Sequence, residues 1–311
     1  MRASMVPGMR VAVVDMGTNS TRLLVADVED HSVRELERES RVTKLGRGVD
    51  LSGQLATEAI NDVCGAVSDY IDTYEGLGAE RVSVIATSAV RDASNSGAFV
   101  AELRERFALD SRILSGREEA WLTYRGASLG RPDHEGALVV DIGGGSTELV
   151  VGSGVNVSFH ASLQCGTVRQ TERHLASDPP SAAELEELAV DVRGLIDAEL
   201  GDLVHVSARH GIGVAGTPTS LAAIDLALDP YDSEAVHGHT LSLAAIQHMC
   251  SELASMPLDE RLEVTGLHPG RAPTIVAGVV ILIQVMRVFG LNEIEVSEHD
   301  ILYGAALEAA A

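Results

Sequence analysis

The chain has 311 residues, 45% of them hydrophobic and 22% charged, with a formal net charge of −23. That composition excludes a disordered chain, and the length suits two lobes of about 100 to 200 residues each better than one core. Residues 1–130 carry 15 Lys and Arg against 20 Asp and Glu, and residues 131–311 carry 8 against 26, which argues against general nucleic-acid binding and leaves local arginines to decide where an anion is held.

Met1 to Arg10 lacks an apolar signal region, and Met9 could equally be the true start. The pattern from Arg10 to Asp27 predicts two strands joined by Gly17-Thr18-Asn19-Ser20, and Val33 to Lys44 predicts a third. Leu45-Gly46-Arg47-Gly48 reads as a flexible loop with cations beside a cleft, or equally as a surface turn. Ala56 to Tyr74 has helical spacing, and Arg81 to Thr87 alternates as a strand. Thr87 and Ser88 then open a helix with Arg91 in its first turn, where a guanidinium can reach a phosphate. Cys64, Cys165 and Cys250 lack zinc-ligand spacing and read as reduced thiols of a cytoplasmic protein.

Ser115-Gly116-Arg117-Glu118 is a capping box, with Ser115 as N-cap and Glu118 folding back on the backbone. Glu119 points about 100° away with no capping duty. It is a candidate general base toward water, and its competing reading is a solvated partner of the helix dipole. Gly130 to Gly136 is the best linker candidate.

Ala137 to Val151 is the most informative stretch. A buried strand ends in Asp141, followed by Gly143, Gly144, Gly145, Ser146, Thr147 and Glu148 and a second apolar run. Successive glycines let backbone N–H groups converge on one concavity, and the Ser146 and Thr147 hydroxyls add donors. Asp141 and Glu148 suit a hard cation such as Mg²⁺ bridging protein and phosphate oxygens. A plain Gly-rich turn is the alternative for one such loop alone. Laying Val11–Asp27 over Ala137–Ser153 gives eight identities in seventeen positions, pairing Asp15 with Asp141, Gly17 with Gly143 and Ser20 with Ser146. Arg22 stands where Glu148 stands in the second copy. Two copies imply two similar α/β lobes facing each other across a phosphate cleft, 1–130 and 131–311, with a last helix at 301–311 that can pack back on the first lobe.

Further on, Ser181 caps an acidic helix to Leu200, and Ile212–Ala215 is a strand delivering Gly216-Thr217-Pro218-Thr219-Ser220 ahead of a helix from Leu221, a third anion site. His237-Gly-His239 has no third ligand spaced with it and reads as structural. Thr274 to Val285 is too short for a membrane span and predicts a buried helix. Ile294–Val296 is a last strand before a closing helix.

Together these segments resemble the exopolyphosphatase and guanosine pentaphosphate phosphohydrolase family, most specifically in Ser-Gly-Arg-Glu-Glu-Ala followed by Asp-Ile-Gly-Gly-Gly-Ser-Thr-Glu. The resemblance implies two actin-like (ribonuclease H-like) lobes and hydrolysis of terminal phosphate from polyphosphate or the pentaphosphate alarmone, with Mg²⁺ or Mn²⁺. It implies Glu119 as catalytic glutamate, Arg91 as phosphate-binding arginine, Asp141 and Glu148 as the acidic pair, and Gly143 to Ser146 as the phosphate loop. Gly17, Thr18, Asn19, Ser20, Arg22, Gly216 and Thr217 complete the expected phosphate ligands, Asp15 joins Asp141 and Glu148 as a metal candidate, and a homodimer away from membranes is the expected form. Where many members read Gly-Leu-Arg-x-Gly, this chain has Asp300-Ile-Leu-Tyr-Gly304, losing an arginine that would make a remote phosphate contact; the large helical C-terminal region of long members, which helps hold long polyphosphate, does not follow, which points to short polyphosphate. A kinase of the same superfamily and a sensor without turnover are the competing functions. Glu119 argues against the first, and phosphate release would exclude the second.

Overall fold

The computed structural model describes residues 8–30, 32–131, 136–154, 156–201 and 208–311. The Met1 alternative start lies outside them, as does most of the expected linker. The described chain forms two compact units, residues 1–130 with 301–311, and residues 131–300.

The first unit is built on a sheet of β1 (Met9–Met16), β2 (Ser20–Glu29), β3 (Ser32–Val42), β4 (Arg81–Ala86) and β5 (Ser111–Ile113) in the order β3-β2-β1-β4-β5. β2 runs antiparallel to β1, while β4 and β5 run parallel to it. β1 is apolar at nearly every position because both sheet faces are covered. Ala12, Val14 and Met16 face the core under the helix Thr57–Gly76, and Val11 and Val13 face a second core under Ile301, Leu302, Ala305 and Ala306 of the helix Ile301–Ala309. Leu302, at the position where the resemblance led us to expect an arginine, is fully buried in that second core. That position is turned inward.

The second unit repeats the plan with β6 (Ala137–Ile142), β7 (Thr147–Ser153), β8 (Asn156–Leu163), β9 (His210–Val214), β10 (Thr240–Ser242) and β11 (Glu293–Val296). Read from β8, its order is β8-β7-β6-β9-β11, with β10 added antiparallel at the edge. Strand for strand this is the order of the first sheet, and each unit is an actin-like (ribonuclease H-like) lobe. The apolar stretch near residue 280 forms the helix Ile275–Phe289, buried along almost its whole length at the centre of the second core. A helix apolar all round belongs in an interior. Among the described residues no helix is long and apolar enough to cross a membrane.

Three local expectations change. Of the two readings of Leu45–Gly48 the turn holds and the flexible loop does not: Leu45 is fully buried, the Gly46 N–H donates to the Thr18 carbonyl at 2.8 Å, and a Cβ on Gly46 would collide with the Thr18 side chain. The segment Gly216–Ser220 is not a loop before a helix but the opening of the helix Gly216–Asp225, which starts directly after Ala215 at φ 66°. The helix carrying Arg91 is only Ser88–Asp92, too short to form an anion site by its N-terminus alone.

Candidate active site

In each unit the first hairpin closes with the same backbone bond. Gly17 N donates to Ser20 O at 3.0 Å in the first unit, and Gly143 N donates to Ser146 O at 3.0 Å in the second. The repeat seen in the letters is therefore a repeat in geometry. The Asn19 carbonyl accepts from Thr43 N and Lys44 N at 3.1 and 2.9 Å, which ties the first turn to its own unit.

The second turn is tied from the other side by the helix Thr167–His174. The N–H groups of Thr167 and Val168 donate to the carbonyls of Gly143 and Gly144 at 2.9 and 2.8 Å, and Arg169 Nε donates to Gly145 O at 2.8 Å. Carbonyls that accept from this brace leave the N–H groups of Gly144 and Gly145 for an anion, that of Gly143 being engaged by Ser146 O. Gly166 must be glycine, since a Cβ there would run into the backbone of Gly144 and Gly145. Sequence reasoning missed this helix. Its signal was the lone Gly166 before a Thr, and nothing local tied it to a loop some twenty residues earlier.

The acidic residues differ between the copies. Asp15 lies opposite Arg22 in the β1–β2 ladder and is held by it through Nη2 at 2.6 Å and Nε at 3.1 Å. Arg22, expected on a phosphate, and Asp15, expected on a metal, are thus paired with each other. Asp141 lies opposite Glu148 in the β6–β7 ladder, both buried. Opposed like charges repel unless a cation or proton relieves them. Among the described residues no group of three or more His, Cys, Asp or Glu side chains could hold a metal ion by itself. Two carboxylates fit Mg²⁺ nonetheless, because that ion is commonly bound by one or two carboxylates, substrate phosphates and waters.

Glu119 and Arg91 come together. Arg91 Nη1 donates to Glu119 Oε2 at 2.8 Å and to the Leu114 carbonyl at 2.9 Å, and Glu119 is only 7% exposed. One position away, Glu118 is exposed and completes the capping box: its Oε2 accepts from Ser115 N at 2.8 Å, and Ser115 Oγ accepts from Glu118 N at 3.3 Å. The Ser115 hydroxyl and backbone N–H hold the Glu118 carboxyl below its ordinary range. The two adjacent acids have separate surroundings, as their helical positions require.

Two expected hydroxyl donors are buried, and Thr147 uses its own internally. Thr147 donates to the Cys165 carbonyl, and Thr217 is buried with its hydroxyl against Gly278. Gly216 is covered instead by the Arg271 guanidinium, which also donates to Thr219 Oγ1 at 3.2 Å, a contact that no local pattern signals. His237 stacks on His299 with ring centroids 4.4 Å apart, and His239 Nε2 meets Asp225 at 2.8 Å, so the His-Gly-His pair is structural.

Cys165 beneath the loop is fully buried, and burial first, then Asp191, pushes its thiol up to about 12. Since the thiolate is the reactive species, native protein at pH near 8 should leave Cys165 unalkylated by iodoacetamide, with labelling only after unfolding. Mass spectrometry of native and denatured samples checks this. Rapid native labelling of Cys165 would show that the loop opens.

With the geometry in view, the comparisons with known proteins are consistent. The chain matches the model of the Ppx/GppA phosphatase family over residues 24–308. It is 38% identical to exopolyphosphatase 2 of Mycobacterium tuberculosis, covering 97% of this chain and 98% of that protein. It is 27% identical to the guanosine-5'-triphosphate,3'-diphosphate pyrophosphatase of Vibrio cholerae, covering 89% of this chain and 54% of that protein. The crystal structure of an exopolyphosphatase-like protein superposes with a TM-score of 0.93 at 33% identity over 98% of both chains. That of the Aquifex aeolicus Ppx/GppA enzyme superposes at 0.82 and 29%, covering 97% of this chain and all of the other. The duplicated hairpins, the buried acids and the end-to-end similarity agree: the chain belongs to the Ppx/GppA phosphatase family, hydrolases that act on phosphoanhydride bonds.

Proposed function

We propose that this chain is an exopolyphosphatase that releases terminal phosphate from inorganic polyphosphate, with a preference for short chains. Glu119 is the general base that takes a proton from the attacking water. Arg91 orients it through their ion pair and binds phosphate, the loops at 17–20 and 143–146 hold phosphate, and Asp141 and Glu148 hold a divalent cation, Mg²⁺ or Mn²⁺. Such a cation neutralises phosphate charge when bound. Asp15, already engaged by Arg22, is left out of that pair. The observation that carries the reading is Glu119 itself, a buried carboxylate freed from capping by its neighbour and gripped at 2.8 Å by Arg91. A kinase has no need of a base that activates water.

The choice of polyphosphate rests on the relative matched along its whole length, named an exopolyphosphatase. A second reading, guanosine pentaphosphate 5'-phosphohydrolase, is favoured by the Vibrio cholerae relative, of which this chain spans about half. Phosphate release from short polyphosphate, long polyphosphate and guanosine pentaphosphate, measured side by side at equal concentration of chain ends, decides between them. The expected order is short polyphosphate first. Faster turnover of long chains overturns the length preference, faster turnover of the alarmone selects the second reading, and no release from any of them leaves a binding module. Activity undiminished in excess EDTA would remove the metal from the scheme.

A further inference from the structure

Glu148 has cross-strand neighbours on both sides. It faces Asp141 on β6 and Ser162 on β8, so the three form one row across adjacent strands. The first unit has the equivalent row of Asp15, Arg22 and Ser40. There the middle residue is a cation and closes on Asp15 at 2.6 Å. In the second unit the middle residue is an acid, and it is the outer serine that reaches it: Ser162 Oγ donates to Glu148 Oε1 at 2.8 Å.

We propose that Ser162 is a positioning residue, holding the Glu148 carboxylate in the orientation in which it and Asp141 present oxygens to a divalent cation. The proposal rests on the reading of Asp141 and Glu148 as the metal pair. A glutamate on a strand has three side-chain torsions to fix, and buried like charges opposite one another favour its swinging away. A hydroxyl donating to one oxygen opposes both. It fixes the rotamer and offsets part of the negative charge without adding a cation that would compete with the metal. Ser162 is half-buried and sits on a strand flanked by the buried Ala161 and Leu163, which gives the donor itself a fixed base. Partners behind a ligating carboxylate typically change metal affinity by about 10- to 100-fold.

The test is calorimetric titration of Mn²⁺ into the full chain in the presence of inorganic phosphate, with melting curves alongside. Ser162→Ala is expected to raise the Mn²⁺ Kd about tenfold or more while the metal-free melting temperature stays within a degree or so of wild type. Ser162→Thr, which keeps the hydroxyl and suits a strand, is expected to bind like wild type. Glu148→Gln is expected to lose the binding. If Glu148→Gln loses Mn²⁺ but Ser162→Ala binds like wild type, the role of Ser162 falls and the metal pair stands. If Ser162→Thr is as weak as Ser162→Ala, packing rather than the hydrogen bond is responsible, and the proposal is equally overturned. Wild type that binds no Mn²⁺, or Glu148→Gln that binds it normally, overturns the metal reading and this inference with it.

Discussion

Glu119→Gln is expected to lower kcat by about 10² to 10⁴ with KM little changed, the range typical of a lost general base. Hydrolysis of a phosphoanhydride has a loose transition state, so loops and cation supply most of the catalysis and the base orients and deprotonates water. Glutamine keeps the shape of Glu119 and an oxygen for Arg91 Nη1, and it loses the proton acceptor. Glu118→Gln should leave kcat near normal, because glutamine serves a capping box as well as glutamate does. Glu118→Ala removes the reciprocal bond to Ser115 N and should cost about 0.5–2 kcal/mol, the range for N-cap losses, again with kcat near normal in folded protein. The Glu118 carboxyl is depressed from its ordinary 4.5, so what it contributes to stability is fully present above that value and is lost as pH falls through the lowered one. Rates of the three variants beside their melting curves from pH 3 to 7 decide. A dead Glu118→Gln enzyme beside an active Glu119→Gln enzyme would reverse both assignments.

Gly304→Ala should destabilise by about 3 kcal/mol or more, which is a fall in melting temperature of roughly 6–12 °C. A Cβ at 304 would be driven into the Leu122 carbonyl, with Leu122 Cα at 3.0 Å behind it, and a backbone obstacle cannot rotate aside. The helices Gly116–Ala127 and Ile301–Ala309 would have to separate, and Glu119 lies on the first of them. Activity should fall with stability. The same substitution at Gly97, exposed in the helix Ser96–Phe107 with open space around its Cα, should instead stabilise by about 0.5–1 kcal/mol. Equal melting temperatures for the two variants would mean that the crossing at Gly304 is looser than its geometry states.

How much of this was legible in the letters depended on the range of the interaction. The duplicated hairpins were readable because Asp15 and Asp141 end apolar runs and the glycines follow at fixed spacing, all of it local. Ser115 and Glu118 were readable for the same reason, since a capping box closes within four residues. β5, only three residues long, carries no measurable period, and β8 was passed over although it supplies Ser162. Gly216–Ser220 has the composition of a loop, yet it is helical because the chain leaves β9 through Ala215 at positive φ and turns directly into the helix. The brace at Thr167 acts on a loop, and the guanidinium of Arg271 on a helix start, far away in sequence. Propensity and period do not report such contacts.

The helix Ile301–Ala309 belongs to the unit made of residues 1–130 and lies beyond the 170 residues of the other unit, 131–300. A ribosome adds about 5–20 residues per second, so roughly 10–40 s pass between completion of β1 to β5 and arrival of the helix that covers one face of their sheet. Throughout that interval Val11, Val13, Leu24 and Ile85 lack the apolar partners Ile301, Leu302, Ala305 and Ala306. The later unit, continuous in sequence, can finish its core before the earlier one does. Birth order along the messenger and order of completion are therefore reversed, and the nascent chain is most exposed to misassociation and to chaperones during the translation of residues 131–300.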